Sequence, residues 1–131
     1  MTMIIHDQLI HAIEQDTGLK HGVDFLVAHP IDEQSGQQCG EAYLFRWMNN
    51  DVAQPDIEEM KQRYHEVHWS TYEAKVAREK RNYLLTQTDW TQNADTPTSI
   101  KENFAVYRNA LRDLPAQPNF PQSIDWPIAP Q

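Results

Sequence analysis

The stretch YHEVHW, residues 64–69, comes nearest to a chemical motif, with His65 and His68 flanking Glu66. A zinc-peptidase helix carries H-E-x-x-H, so that two His one full turn apart share a metal and the Glu reaches its water. Here the two His are three positions apart, which still allows one face but requires a third ligand from elsewhere. The plainer reading is a pair of solvated or interfacial His on a long helix. The other four His, at 6, 11, 21 and 29, are scattered, and His6 and His11 do not share a helical face well. Cys39 is alone, so no internal disulfide can form, and it sits in a Gly-flanked polar loop with no His at a recognisable spacing. No Ser lies in a G-x-S-x-G elbow, and Gly18, Gly22, Gly36 and Gly40 are too dispersed to cradle a phosphate. Adjacent carboxylates such as Glu58 and Glu59 point apart on a helix. The expectation is therefore a protein that is not an enzyme, with no catalytic residue, no metal and no cofactor.

With 131 residues, 40% of them hydrophobic, the chain can bury only a modest core. Its mean hydropathy of −0.72 points the same way, towards an oligomeric or partner-dependent fold. The net charge of −8 is uneven. Residues 1–55 hold eight acids and two bases, residues 56–88 six of each, and residues 89–131 five acids and three bases. An acidic surface repels phosphate backbones, so no nucleic-acid partner is expected. The opening MTMIIHDQLIHAIEQ lacks the basic n-region of a signal peptide, and no window approaches 18 continuous apolar residues. Neither secretion nor a membrane is expected, and a reducing cytoplasm is.

The elements follow from period and punctuation. Ile5, Leu9, Ala12 and Ile13 recur at helical spacing over residues 3–17, and Gly18 is a candidate C-cap. VDFLVAHP and EAYLFRWM read as two strands of a β-hairpin joined by a Gly-containing loop, with Tyr43, Phe45 and Trp47 on one face. Asp56 and Glu59 have capping-box spacing and open a helix that meets no Pro or Gly until about Thr86. Its apolar stripe runs Ile57, Met60, Tyr64, Val67, Thr71, Ala74, then meets Arg78 and Arg81. That middle should be solvated all round or paired with something outside the chain, including a homo-oligomer through the long helix. Ser99 and Glu102 suggest a second capping box ahead of an amphipathic helix through Leu114, ended by Pro115. The last 17 residues hold five of the eight prolines and should run extended, anchored by Phe120 and Trp126. The expected fold class is α+β: N-terminal helix, β-hairpin, long helix, a shorter amphipathic helix folding back, and a Pro-rich arm. The expected divisions are 1–55, 56–114 and 115–131.

One region follows a more particular order. From residue 81 it reads Arg81 with Leu84 and Leu85, Asp89-Trp90, Asp95 with Pro97, Tyr107-Arg108, Leu111-Arg112-Asp113 and Trp126-Pro127. Asp89 can bond local backbone and fix a turn, Trp90 can pack on the returning helix, and Arg108 and Arg112, four apart, can form a carboxylate or carbonyl clamp. The order resembles the phage tail assembly chaperone family, which includes small tail-fibre assembly proteins. The resemblance is close over about fifty residues, 81–130, and does not extend to residues 1–50. It implies a non-enzymatic viral protein that binds a tail or tail-fibre protein in the host cytoplasm during assembly. Asp89, Trp90, Tyr107, Arg108, Arg112 and Trp126 are then the docking or structural anchors. A second reading is a permanent virion component, a tail or fibre adaptor subunit built on the same module, which the additional N-terminal residues favour. The third and weakest is a metal-dependent hydrolase using His65 and His68.

Overall fold

The computed structural model describes residues 3–131. The fold is α+β: α1 (His6–Thr17), β1 (Phe25–Ala28), β2 (Tyr43–Trp47), α2 (Ile57–Arg63), α3 (Trp69–Gln87) and α4 (Thr98–Arg112). Contacts group the chain into two units, one through Tyr72 and the other Glu73–Gln131.

In the first unit, α1 starts where the Ile5 N–H donates to Gln8 Oε1 at 3.0 Å. It ends at Gly18, whose φ of 75° suits a residue without Cβ and whose N–H returns to Glu14 O at 2.8 Å. The expected stripe shifts by one residue at its start: Ile4 is buried, whereas Ile5 is 37% exposed at the helix entry. Leu9, Ala12 and Ile13 then pack with Phe25, Val27, Ala42, Met60 and Tyr64 into the core.

The hairpin forms as expected, antiparallel, with Phe25 opposite Trp47, Leu26 opposite Arg46 and Val27 opposite Leu44. Phe45 is thus left over as a bulge, and this corrects the expected single face of Tyr43, Phe45 and Trp47. One extra residue reverses the alternation. Trp47 stacks on Phe25, ring centroids 5.9 Å apart, while Tyr43 and Phe45 are 47% and 64% exposed.

The long helical stretch begins at Asp56, whose Oδ1 accepts from the N–H groups of Glu58 (2.9 Å) and Glu59 (3.3 Å). It is not α-helical throughout. Tyr64–His68 form a π turn, in which the Trp69 N–H donates to Tyr64 O, five residues back. The wider turn moves the seam. Burial passes from Met60 and Tyr64 to His68, and the expected Val67 is 47% exposed. The π turn also faces α1: His68 Nε2 lies 2.9 Å from Asp16 Oδ1, and Arg63 donates to Asp16 through Nε (2.6 Å) and Nη2 (3.0 Å). The Arg63 guanidinium foremost, with His68 beside it and against the opposing effect of desolvation, holds the Asp16 carboxyl below the ordinary carboxylate value.

In the second unit, α4 begins two residues earlier than a Ser99 cap requires. Pro97 is the N-cap and Ser99 lies inside the first turn, so the second capping box does not form. Pro at the cap costs no hydrogen bond, because the first N–H groups of a helix have no partner within it. Leu111 and Leu114 are fully buried. The Pro-rich segment starts as turns rather than as extended chain. Leu114–Ala116 form a 3-10 turn with Pro115 at its start, and turns continue to residue 123 before the chain runs irregularly to its end.

The Asp16 cluster carries a pH signature. A carboxylate whose folded pKa is lowered stabilises the fold above its unfolded value of about 3.9, and that stabilisation is lost as the pH falls through the lower, folded value. Asp16→Asn should lower the urea midpoint of the first unit at neutral pH, and the gap from wild type should close by about pH 3 or below. A gap that stays constant with pH would show that the contact contributes through packing alone.

Candidate functional site

The residues singled out in the C-terminal unit gather around the end of α3. Its last turn leaves carbonyls without helical partners. Thr88 answers part of this, its hydroxyl lying 3.1 Å from Leu84 O and 3.2 Å from Leu85 O. Arg108 on α4 adds to this: Nη1 donates to Leu85 O at 2.6 Å and to Thr88 Oγ1 at 2.8 Å, and Nη2 to Asp89 Oδ1 at 2.8 Å. Arg108 is only 6% exposed, and its Nε–H is buried with no partner among the described residues. The expected clamp exists, then, but Arg108 makes it without Arg112. Arg112 is exposed and donates to Asn109 Oδ1 at 3.2 Å. Asp89 serves the guanidinium, and backbone bonds from Thr88 and Thr91 shape the turn. Thr91, fully buried, donates from its hydroxyl to Thr88 O at 2.6 Å.

Trp90 meets the returning helix as expected, its ring 6.0 Å from that of Phe104, which in turn stands edge-on to Tyr107 at 6.3 Å. Trp90 remains 56% exposed, whereas Tyr107 is buried. Of the six residues, Trp90, Asp89 and Arg112 face outward, and Tyr107 and Arg108 hold the unit together from within. The sixth, Trp126, is half-buried, with Lys80 Nζ 4.2 Å from its ring centroid. Arg78 lies similarly over Phe120, at 5.3 Å. The middle of α3 is therefore not solvated all round: the chain's own tail covers part of it. Arg78, a cation where an apolar seam should continue, was the available signal for one of these two contacts, and an aromatic residue of the tail is a natural partner for it.

The histidines of the N-terminal unit part company. His68 is paired with Asp16, whereas His65 stands edge-on to Tyr64 at 5.3 Å. His65 lines a cavity of about 700 Å³ together with Glu41, Glu58, Lys61 and Glu66. Lys61 Nζ lies 3.3 Å from Glu58 and 3.9 Å from Glu41, so the polar groups there already neutralise one another in part. Among the described residues no three His, Cys, Asp or Glu stand where they could hold a metal ion, and no helix is long and apolar enough to cross a membrane.

The polar closure of α3 is open to direct test. Arg108→Met should destabilise the C-terminal unit by about 1.5–3 kcal/mol, since it removes the charged donor that bonds Leu85 O, Thr88 Oγ1 and Asp89 Oδ1. Arg108→Lys should recover little, because one ammonium cannot reproduce the planar fork. Thermal unfolding of the two variants checks this, and a full rescue by Lys would reduce the contact to simple charge.

No curated protein and no solved structure matches the chain. Residues 74–131, in contrast, match the family model described as phage tail assembly chaperone protein. That match spans every residue of the Arg108 clamp, both aromatic anchors of the tail, and Trp90, so the segment 74–131 is similar to the phage tail assembly chaperone family.

Proposed function

We propose that this protein binds a phage tail or tail-fibre protein during tail assembly and catalyses no reaction. The observation that carries the reading is a coincidence of boundaries: the family match begins at residue 74 and the second compact unit at Glu73. A family module that is also a structural unit has its own core and can act as a binding domain. Its outward residues suit that role. Trp90 offers a half-exposed ring on a support of Phe104 and Tyr107, and rigid aromatic anchors of this kind dominate protein interfaces. Asp89 and Arg112 supply polar contacts, and Arg108 and Tyr107 keep the presenting turn in place. Action in the host cytoplasm, without nucleic acid or membrane, follows from this role.

A permanent place in the virion tail is the second reading, favoured by the N-terminal unit. It lies outside the family match and carries twelve acids against four Lys and Arg, whereas the residues from 73 onward carry seven of each. The whole net charge thus belongs to a unit that tail assembly by the module alone does not explain.

Quantitative mass spectrometry of purified particles separates the two readings. A fixed copy number, in multiples of a tail protein's symmetry, makes the protein a component, and absence from particles with abundance in lysate makes it a chaperone. Co-purification with the phage's tail and fibre proteins tests the shared claim. Trp90→Ala should weaken that capture roughly tenfold or more while the thermal transition stays near wild type. Undiminished capture would remove Trp90 from the interface, and no capture of any tail protein would sink the assembly reading.

A further inference from the structure

Three rows of residues run down α3 and into the turn that follows it, each repeating at every seventh position. Val76, Tyr83 and Trp90 form the first, and they are 43%, 61% and 56% exposed. The residue after each turns inward: Ala77 and Thr91 are buried and Leu84 is half-buried. The residue before each, Lys75, Asn82 and Asp89, is polar and exposed. Seven residues are close to two helical turns, so each row keeps to one side of the helix. The inward row ends at fully buried Thr91, so the 3-10 turn keeps the phase of α3 and Trp90 stays in line with Val76 and Tyr83. The first row is thus an apolar stripe about 21 Å long on the surface of the C-terminal unit.

The stripe is complementary to itself when reversed. About a twofold axis at Tyr83, with a second copy running antiparallel, Tyr83 meets Tyr83 and Val76 meets Trp90, small against large, on both sides of the axis. The polar row matches in the same arrangement. Lys75 comes alongside Asp89 of the second copy, twice, and Asn82 alongside Asn82. Between the apolar layers, Glu79 and Lys80 come opposite Gln87 and Thr86, a charged group against a neutral one each time. Lys75 has a loose partner in its own chain, Glu79 at 4.0 Å, and Asp89 gives one oxygen to Arg108, so both have capacity for the new contact. A parallel pair would instead set Val76 on Val76 and Trp90 on Trp90, and leave Lys75 and Asp89 far apart. The unit that carries the stripe holds seven acids and seven Lys and Arg, so two such units meet without net repulsion.

We propose that Val76, Tyr83 and Trp90 form an isologous interface through which two copies of this chain pair antiparallel along α3. The proposal goes beyond the assembly reading and does not rest on it. Three apolar layers flanked by exposed charge pairs make a small interface, so the dimer should be weak, with a Kd on the order of micromolar or above. Trp90 also belongs to the surface assigned above to the tail protein, so pairing and docking exclude each other, and the dimer keeps the ring covered until that partner arrives.

Sedimentation velocity of the full chain from about 1 to 500 µM should show a monomer–dimer equilibrium governed by mass action. Tyr83→Asp, which brings two carboxylates together on the axis, should weaken it roughly tenfold or more. Because Tyr83 is exposed, the thermal transition of the monomer should stay near wild type. Tyr83→Ser, without the added charge, guards against misfolding and should also weaken the dimer. Disulfides then read the direction of pairing in a Cys39→Ser background. Under mild oxidation, a mixture of Val76→Cys and Trp90→Cys chains should form the mixed disulfide. Neither chain alone should cross-link, since like positions lie about 21 Å apart in an antiparallel pair. Cross-linking of like positions would make the pair parallel. A dimer untouched by both Tyr83 variants would place the interface elsewhere, and a monomer at every concentration would leave the stripe without a second copy. Each of these results overturns the proposal. The assay contains no tail protein, so its failure leaves the assembly reading standing, and failure to capture any tail protein leaves the dimer standing.

Discussion

The buried guanidinium of Arg108 is the contact on which the C-terminal unit depends. A charge at 6% exposure is tolerable only when acceptors surround it, and here a helix-end carbonyl, a hydroxyl and a carboxylate do so. One side chain thereby ends α3, orients the turn that carries Trp90, and fixes α4 against both. Fully buried Leu111 follows on the same helix and Leu114 in the 3-10 turn after it, so the apolar seam at the end of α4 continues directly from this polar lock. A chain with few apolar residues needs such devices, since hydrogen bonds to charged groups add direction where core volume is short.

The N-terminal unit uses a similar device for another end. Asp16, in the last turn of α1, gathers Arg63, just before the π turn, and His68, its last residue. The π turn adds one residue to the helical phase and so delivers His68, rather than Val67, to the seam. What begins as a near-match to a metal-binding helix becomes a structural ion cluster, because the carboxylate that meets His68 comes from a helix some fifty residues earlier. Both units thus close helix packing with Arg–carboxylate contacts, one on an acidic unit and the other on a unit whose charges balance.

Much of this was legible in the sequence. Helix starts and stops are local chemistry, so the Asp56 cap, the Gly18 stop and the amphipathic α4 could be read from residue types and spacing. The order from Arg81 to Trp126-Pro127 likewise sufficed to indicate the family that residues 74–131 resemble. The misreadings share a cause. Phe45 and the Tyr64–His68 turn each insert a residue into a regular period, and a period read from residue types continues past an insertion that only long-range packing favours. Ser99 looked like a cap by spacing, yet the chain enters α4 through Pro97.

The sequence by itself determined the α+β order of elements, the acidic imbalance, the lack of a recognisable catalytic motif and the family likeness of the C-terminal segment, since each depends on neighbours along the chain. The tertiary structure decided which of the six anchor residues face outward, that Arg108 acts without Arg112, and that Arg78 and Lys80 meet Phe120 and Trp126. Those outcomes depend on residues that are twenty to fifty positions apart and become neighbours only on folding, when the cost of burying a polar group or a ring selects one partner among several.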